Sequence, residues 1–250
     1  MLASGDYDLM KPLFAMYRAQ LDLMKIRART WYGADGATMA ESTTFWGMWS
    51  NADYGWKRPA EMPVGEMTNR FMWNYWFSGL ELTWLMLEYY DYTNDQQFLD
   101  ETLLPMAEQF LLYFDQRFKR DGQGKLWIYP AQALETWQDA ENPAPDVAGL
   151  HAILGRLTKL PALAPGLRER WMKLQTELPS IPWARVREGR SCYLLRSLAS
   201  RPKTLRTLNF TPFSRSGSMP SNPRTYRWAA TPLPPVKIGV AGGGLRTGCR

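Results

Sequence analysis

Cysteine is nearly absent from this 250-residue chain, and its two copies, Cys192 and Cys249, both fall in the last quarter. The first 188 residues hold none, which excludes a disulfide framework or a cysteine-bound metal there. Histidine is scarcer still. With His151 alone, a histidine metal centre, a Cys/His pair and a Ser-His-Asp triad all lack their parts. His151 falls among apolar helical neighbours and reads as a helix-surface or partly buried histidine. No apolar run reaches the roughly 18 residues of a membrane span, so no membrane partner is expected. The start, MLASGDYDLMKPLF, has no basic lead into an apolar core and is not a signal peptide as it stands. Gly242-Gly243-Gly244 follows no strand pattern and opens no helix, so no phosphate-binding loop and no cofactor is expected.

The most informative absence is of acid in one part of the chain. All 24 Asp and Glu lie at or before Glu188, beside 19 Lys and Arg, for a net charge of −5. Residues 189–250 hold 11 Lys and Arg with no acid, for +11, so the overall +6 conceals two opposite segments. The tail also carries 7 Pro, 7 Gly and 7 Ser and no apolar period beyond Tyr193-Leu194-Leu195. Such a composition cannot bury enough surface to offset chain entropy, so the tail is expected to be disordered. Its basic residues are scattered rather than patterned, and no nucleic-acid partner is expected.

What is abundant is aromatic: 14% of the residues, including 12 Trp. Residues 6–28 show the apolar stripe of a helix through Leu13, Phe14, Tyr17, Leu21 and Met24. Residues 31–67 lose that period and form a long connection rich in Gly, Pro and Trp. Residues 69–92 read as one long helix that is apolar almost all round, with Asn74, Ser78, Glu81 and Glu88 as a thin polar stripe. Thr93-Asn94-Asp95 breaks it. Residues 95–119 form one or two helices around Pro105, and further helices start near Asp146 and Leu167. Helix after helix without alternating strands points to an all-α domain spanning residues 1–188. Between two of these helices lies KLWIYPAQALETWQDAENPAPD, residues 125–146, interrupted by prolines and rich in carboxylates and aromatics. Loops of this kind carry chemistry more often than the elements they join.

Two stretches resemble a known family. One runs from Tyr89-Tyr-Asp-Tyr-Thr-Asn-Asp-Gln-Gln-Phe-Leu to Thr102-Leu-Leu-Pro105. The other is Gly124-Lys-Leu followed by Pro130-x-x-x-x-Glu135. In order and spacing they resemble the bacterial (α/α)6-barrel glycoside hydrolases, in particular the family 95 α-L-fucosidases. Residues 1–185 are also similar to an uncharacterised bacterial relative of that group, which shares Ala-Leu-Glu-Thr-Trp and Phe-Trp-Gly. The resemblance implies a partial (α/α)6 toroid of about three helix pairs, and a plant or algal poly- or oligosaccharide as substrate, cleaved with inversion. Three departures stand out. Ala133-Leu134 replaces the family's Ser-Pro before the glutamate, about half of the six helix pairs are unaccounted for, and the N-terminal β-sandwich is missing. On this reading Met1 is an internal methionine of a longer protein, and the chain's natural partner is the remainder of its own barrel. Full-length relatives are expected to be secreted or periplasmic.

Glycoside hydrolysis needs a proton donor and an opposing group that activates water or attacks. By the Pro-to-Glu spacing the resemblance implies Glu135 as the donor, and burial near Trp127 and Trp137 would keep it protonated. A capping or Arg-paired loop carboxylate is the plain alternative. The family's basic partner lies downstream of what this chain contains, so Glu41, Asp53 and Glu81 are the remaining candidates. Glu41, beside Phe45 and Trp46, is the best of them, with a substrate hydrogen-bond acceptor as its plainer role. Seven Trp lie within residues 31–84. Sugar rings stack on aromatic planes, so Trp46, Trp49, Trp56 and Trp76, with Trp137, Asp53 and Asn142, are candidate substrate contacts, although Trp in helical proteins is more often core. With the catalytic pair incomplete, little or no activity is expected. Two non-enzymatic readings stay open: a carbohydrate-binding or helical scaffold protein, and a helical interaction domain with a basic tail. A shift of reading frame produces the simultaneous loss of acids and of helical period after Glu188. Translation of the source DNA in its other two frames is expected to continue the helical pattern past that point; a pattern in neither frame contradicts the idea.

Overall fold

The computed structural model describes residues 2–47, 60–63, 70–135, 137–161 and 163–181, and in addition the backbone of short strands at 183–185, 191–193 and 196–197. By its contacts the chain divides into Met1–Asn209 and Phe210–Arg250; the second unit lies outside the described residues. So does most of the tail expected to be disordered. None of the described helices is long and apolar enough to cross a membrane.

The helices follow the apolar periods with two interruptions. The expected helix at 6–28 is two, α1 (Lys11–Ala19) and α2 (Leu21–Tyr32), with Pro12 tolerated in the first turn of α1 and Gly33 closing α2 in the left-handed conformation. The expected helix at 69–92 is also two, α3 (Arg70–Trp73) and α4 (Ser78–Thr93). Residues 74–77 leave the helix because tertiary bonds take over their backbone, as described below. Asn94 ends α4 at φ 51°, and the Asp95 carboxylate accepts from the Phe98 N–H at 3.0 Å, which starts α5 (Gln96–Phe98). After a π-helical stretch at Leu99–Leu103, α6 (Leu104–Arg117) begins with Pro105 in its first turn, where no N–H is required of it. Two further helices, α7 (Ala144–Leu157) and α8 (Pro165–Glu177), complete the set.

Strands are few and short. β1 (Lys119–Arg120) pairs with β2 (Leu126–Trp127), β3 (Ala140–Glu141) with β6 (Arg196–Ser197), and β4 (Trp183–Arg185) with β5 (Ser191–Tyr193), all antiparallel. The last three fall at or inside the start of the tail.

The core is a run of helix pairs. α4, apolar on nearly every side, packs against both α6 and α7, and α7 packs against α8. The Tyr89 ring on α4 meets Phe14 of α1 at 5.3 Å and Phe98 of α5 at 4.6 Å. On the outward face, Arg156 of α7 reaches α4. Its guanidinium bonds Glu88 and Asp91, each at 2.7 Å, and lies 4.4 Å over the Trp84 ring. At the far end Arg120 bonds Asp115 and Glu177, tying the end of α6 to α8.

The connection after α2 is fixed to the core at Gly36. The Ala37 N–H bonds the Gln109 carbonyl at 2.9 Å, and Gly36 adopts φ 91° flat against α6. A Cβ there would run into the backbone N of Tyr113 and O of Gln109. Gly36→Ala is therefore expected to lower stability by about 2–4 kcal/mol, measured as a reduced urea midpoint; an unchanged midpoint contradicts this packing.

Candidate functional site

Residues 128–142 form a closed hairpin rather than an open loop. The Asn142 side chain accepts from the Ile128 N–H at 2.8 Å, and the Asn142 N–H donates back to the Ile128 carbonyl at 2.9 Å. Ala131 and Ala140 exchange backbone bonds at 3.1 and 2.8 Å, and Ala133 N–H reaches the Trp137 carbonyl at 3.2 Å. The Trp137 N–H then closes the tip on Leu134 at 2.9 Å. Asp139 and Asn142 turn the chain at φ 55° and 45°, conformations that Asp and Asn tolerate better than other side chains. Leu134, Ala133, Trp137 and Ala140 pack together as a small core within the hairpin.

This hairpin is docked on the interruption between α3 and α4. The Gln132 N–H donates to the Asn74 carbonyl at 3.1 Å, and the Trp76 indole N–H donates to the Pro130 carbonyl at 2.9 Å. A buried carbonyl freed by a helix break must find a donor, and the hairpin supplies it. Trp76 is only 3% exposed and packs edge-on to Tyr32 at 5.0 Å, so it belongs to the core and not to a sugar platform.

A second loop meets the same junction. Ala40 packs with Met72 of α3, and the Tyr32 hydroxyl donates to the Trp73 carbonyl at 3.1 Å. Farther along, the Gln20 amide holds the Phe45 carbonyl at 2.9 Å and the Arg27 guanidinium holds that of Gly47 at 2.8 Å. Pinned at these points, the loop turns Phe45 and Trp46 outward, 74% and 56% exposed and edge to face at 4.5 Å.

The residues singled out from sequence are distributed as follows. Glu135 stands exposed at the hairpin tip. The burial expected around it is missing because the hairpin turns its own small core, Trp137 included, to the other side. Trp137 is buried, and its indole N–H has no partner among the described residues. Asn142 spends its side chain on closing the hairpin. Glu41 is exposed on the second loop. Trp49, Asp53 and Trp56 lie outside the described residues. His151 donates to the Pro179 carbonyl at 2.8 Å, within the helix layer. Of the polar stripe along α4, Asn74 and Ser78 are buried while Glu81 is exposed.

Two groups escaped the sequence reading. Asp146, in the first turn of α7, is 1% exposed, and neither carboxylate oxygen has a partner among the described residues. Burial pushes its carboxyl up to about 8, opposed only by its own backbone N–H. It reads from sequence as an ordinary first-turn acid, and nothing local announces that the turn is buried. Tyr75 sits half-buried in the helix break. Burial first, then the charges of Glu81, Asp146 and Glu41, push its phenol up to about 12, and a Ser78 hydrogen bond opposes them.

With this geometry in view, comparison with known proteins is decisive. The model of the glycosyl hydrolase family 95 catalytic domain matches residues 7–151, more than half of the chain, including the hairpin, the helix break and the loop after α2. The chain belongs to glycosyl hydrolase family 95. Among solved structures, a protein described as a kojibiose phosphorylase from human microbiome superposes with a TM-score of 0.56 at 12% identity, over 71% of this chain and 26% of that one. At such identity the likeness speaks for fold alone: the family 95 chain is a partial (α/α)6 toroid of the six-hairpin glycosidase kind. It spans about a quarter of the length of that structure. No curated protein matches it.

Asp146 links the site to stability. Between about pH 4 and about pH 8 the unfolded chain releases this proton while the folded chain keeps it. Stability is therefore expected to fall as pH rises through that window, by on the order of a few kcal/mol. Asp146→Asn should flatten the decline in urea midpoint between these limits; an identical decline in the variant contradicts the assignment.

Proposed function

We propose that this chain is the part of a family 95 glycosidase that supplies the proton donor, Glu135, for cleavage of a plant or algal poly- or oligosaccharide, with fucosidase-like specificity. The observation that carries this reading is the position of Glu135 at the exposed tip of a hairpin locked to the helix break, inside the family match. A proton donor must reach the leaving oxygen of a bound sugar, and a carboxyl at a rigid tip beside an open face can do so. Glu41 is the opposing group of this reading, on an exposed loop that reaches the same junction through the packing of Ala40 on Met72. Inversion requires a separation of about 6.5–9.5 Å between the two carboxyls, to admit the attacking water. Phe45 and Trp46 offer apolar rings on which a sugar face can stack. Residues 1–188 form the glycosidase-like unit, and the basic residues 189–250 follow it, the first of them paired with it through β5 and β6.

The exposed Phe45–Trp46 pair also favours a second reading, a carbohydrate-binding chain without turnover of its own. One substitution separates the two. Glu135→Gln, made in a full-length family member, is expected to lower kcat about a hundredfold or more while sugar affinity stays within roughly twofold. Unchanged turnover in the full-length protein contradicts the donor assignment and favours the second reading.

A further inference from the structure

A groove lies between α1 and the helical turns from Phe98 to Thr102, and it shares no residue with the hairpin or with the loop after α2. It offers about 550 Å³, within the roughly 300–1,000 Å³ of small-molecule sites. Lys11, Phe14, Ala15 and Arg18 line one wall, at positions i, i+3, i+4 and i+7 of a single helix face. Phe98, Glu101 and Thr102 line the other. A proline sets Arg18 in place. Pro105 has no N–H to give the Glu101 carbonyl four residues before it, and the Arg18 Nε donates to that carbonyl at 2.9 Å. The two terminal nitrogens of the guanidinium meet no acceptor among the described residues. Held at Nε and open at its outer edge, Arg18 is a preformed fork for a carboxylate. Lys11, at the other end of the wall, is already bonded to Asp8 at 2.9 Å.

The floor is apolar. Phe14 is 1% exposed, and its ring meets that of half-buried Phe98 at 5.1 Å. Ala15, exposed and with no more than a methyl, keeps the space above the rings open. One Glu101 oxygen accepts from the Gln97 amide at 3.1 Å, which leaves the other, with the Thr102 hydroxyl, for a ligand. A simple anion would leave the rings uncovered and be repelled by Glu101. A neutral sugar would leave the Arg18 fork empty, and an aromatic acid would bring no hydroxyls to Glu101 and Thr102. A sugar acid satisfies all of them. We propose that the groove is a second carbohydrate site, separate from the Glu135 hairpin, that takes a uronic acid residue with its carboxylate on Arg18. The sugar ring lies over Phe98, and its hydroxyls reach Glu101 and Thr102. The hairpin takes no part, so this site stands whether or not Glu135 is the proton donor.

The test titrates the full chain separately with D-glucuronate, D-glucose, acetate and benzoate, followed by ligand-observed NMR. D-Glucuronate is expected to bind about tenfold or more tighter than each of the other three. NMR of labelled arginine side chains should show the Arg18 Nε–H signal, identified by its loss in Arg18→Lys, moving with D-glucuronate. Arg18→Lys keeps the charge without the fork and should weaken binding about three- to tenfold. Ala15→Leu fills the middle of the groove and leaves every charge and the Arg18–Glu101 bond in place. Leucine is nearly as good a helix former as alanine, so the fold is retained while D-glucuronate affinity drops about tenfold or more. Trp46→Ala should bind as the wild type does. Absence of D-glucuronate binding up to about 20 mM overturns the proposal. So does an affinity no higher than that for D-glucose, acetate or benzoate, or wild-type affinity in Ala15→Leu or Arg18→Lys. Loss of binding in Trp46→Ala would place the sugar on the Phe45–Trp46 pair and overturn it as well. Turnover through Glu135 is read from a different variant, so either assignment can fail alone.

Discussion

The hydrogen bond from the Gln132 N–H to the Asn74 carbonyl is the constraint on which the site depends. The stretch Asn74 to Phe77, three of its four residues aromatic, interrupts what would otherwise be one long helix. The interruption leaves a carbonyl in the core, where an unpaired one costs about 1–3 kcal/mol. The hairpin answers with its own backbone, and the Trp76 indole adds a second bond in the opposite direction. A segment that looks like a loop in sequence is thereby included in the hydrogen-bond accounting of the helix layer. Glu135 inherits its position from that arrangement, since Leu134 and Trp137 close the tip beneath it.

The same junction buries a carboxyl. Enclosing Asp146 without a partner is unfavourable, and the chain accommodates it by keeping the proton. The turn of α7 that carries it rests on the start of α4, where a Cβ at Gly149 would meet Phe77 and Leu80.

The helical architecture was legible in the apolar periods and in the punctuation around Pro105, Asn94 and Gly33, because these are local effects. The breaks at Gln20 and at residues 74–77 were not, because they are set by distant partners: the Phe45 carbonyl for Gln20, and Gln132 and Pro130 for the second break. Glu135 was singled out through its spacing from Pro130 within the family resemblance, whereas its exposure follows from which way a hairpin turns its small core. Trp76 shows the reverse case, a residue type that stacks on sugars but is buried here in the core, and the Asn142 side-chain oxygen closes the hairpin. Asp146 and Tyr75 carry no pattern at all, since burial of a first-turn acid becomes visible only when α7 is laid on α4.

Amide hydrogen exchange at Gln132 tests the central claim most directly. If the hairpin is locked to the helix break, this amide exchanges as slowly as those in the middle of α4, and Ala131 and Ala140 exchange with it as one unit. Exchange at the rate of a free loop, with α4 still protected, would contradict the account.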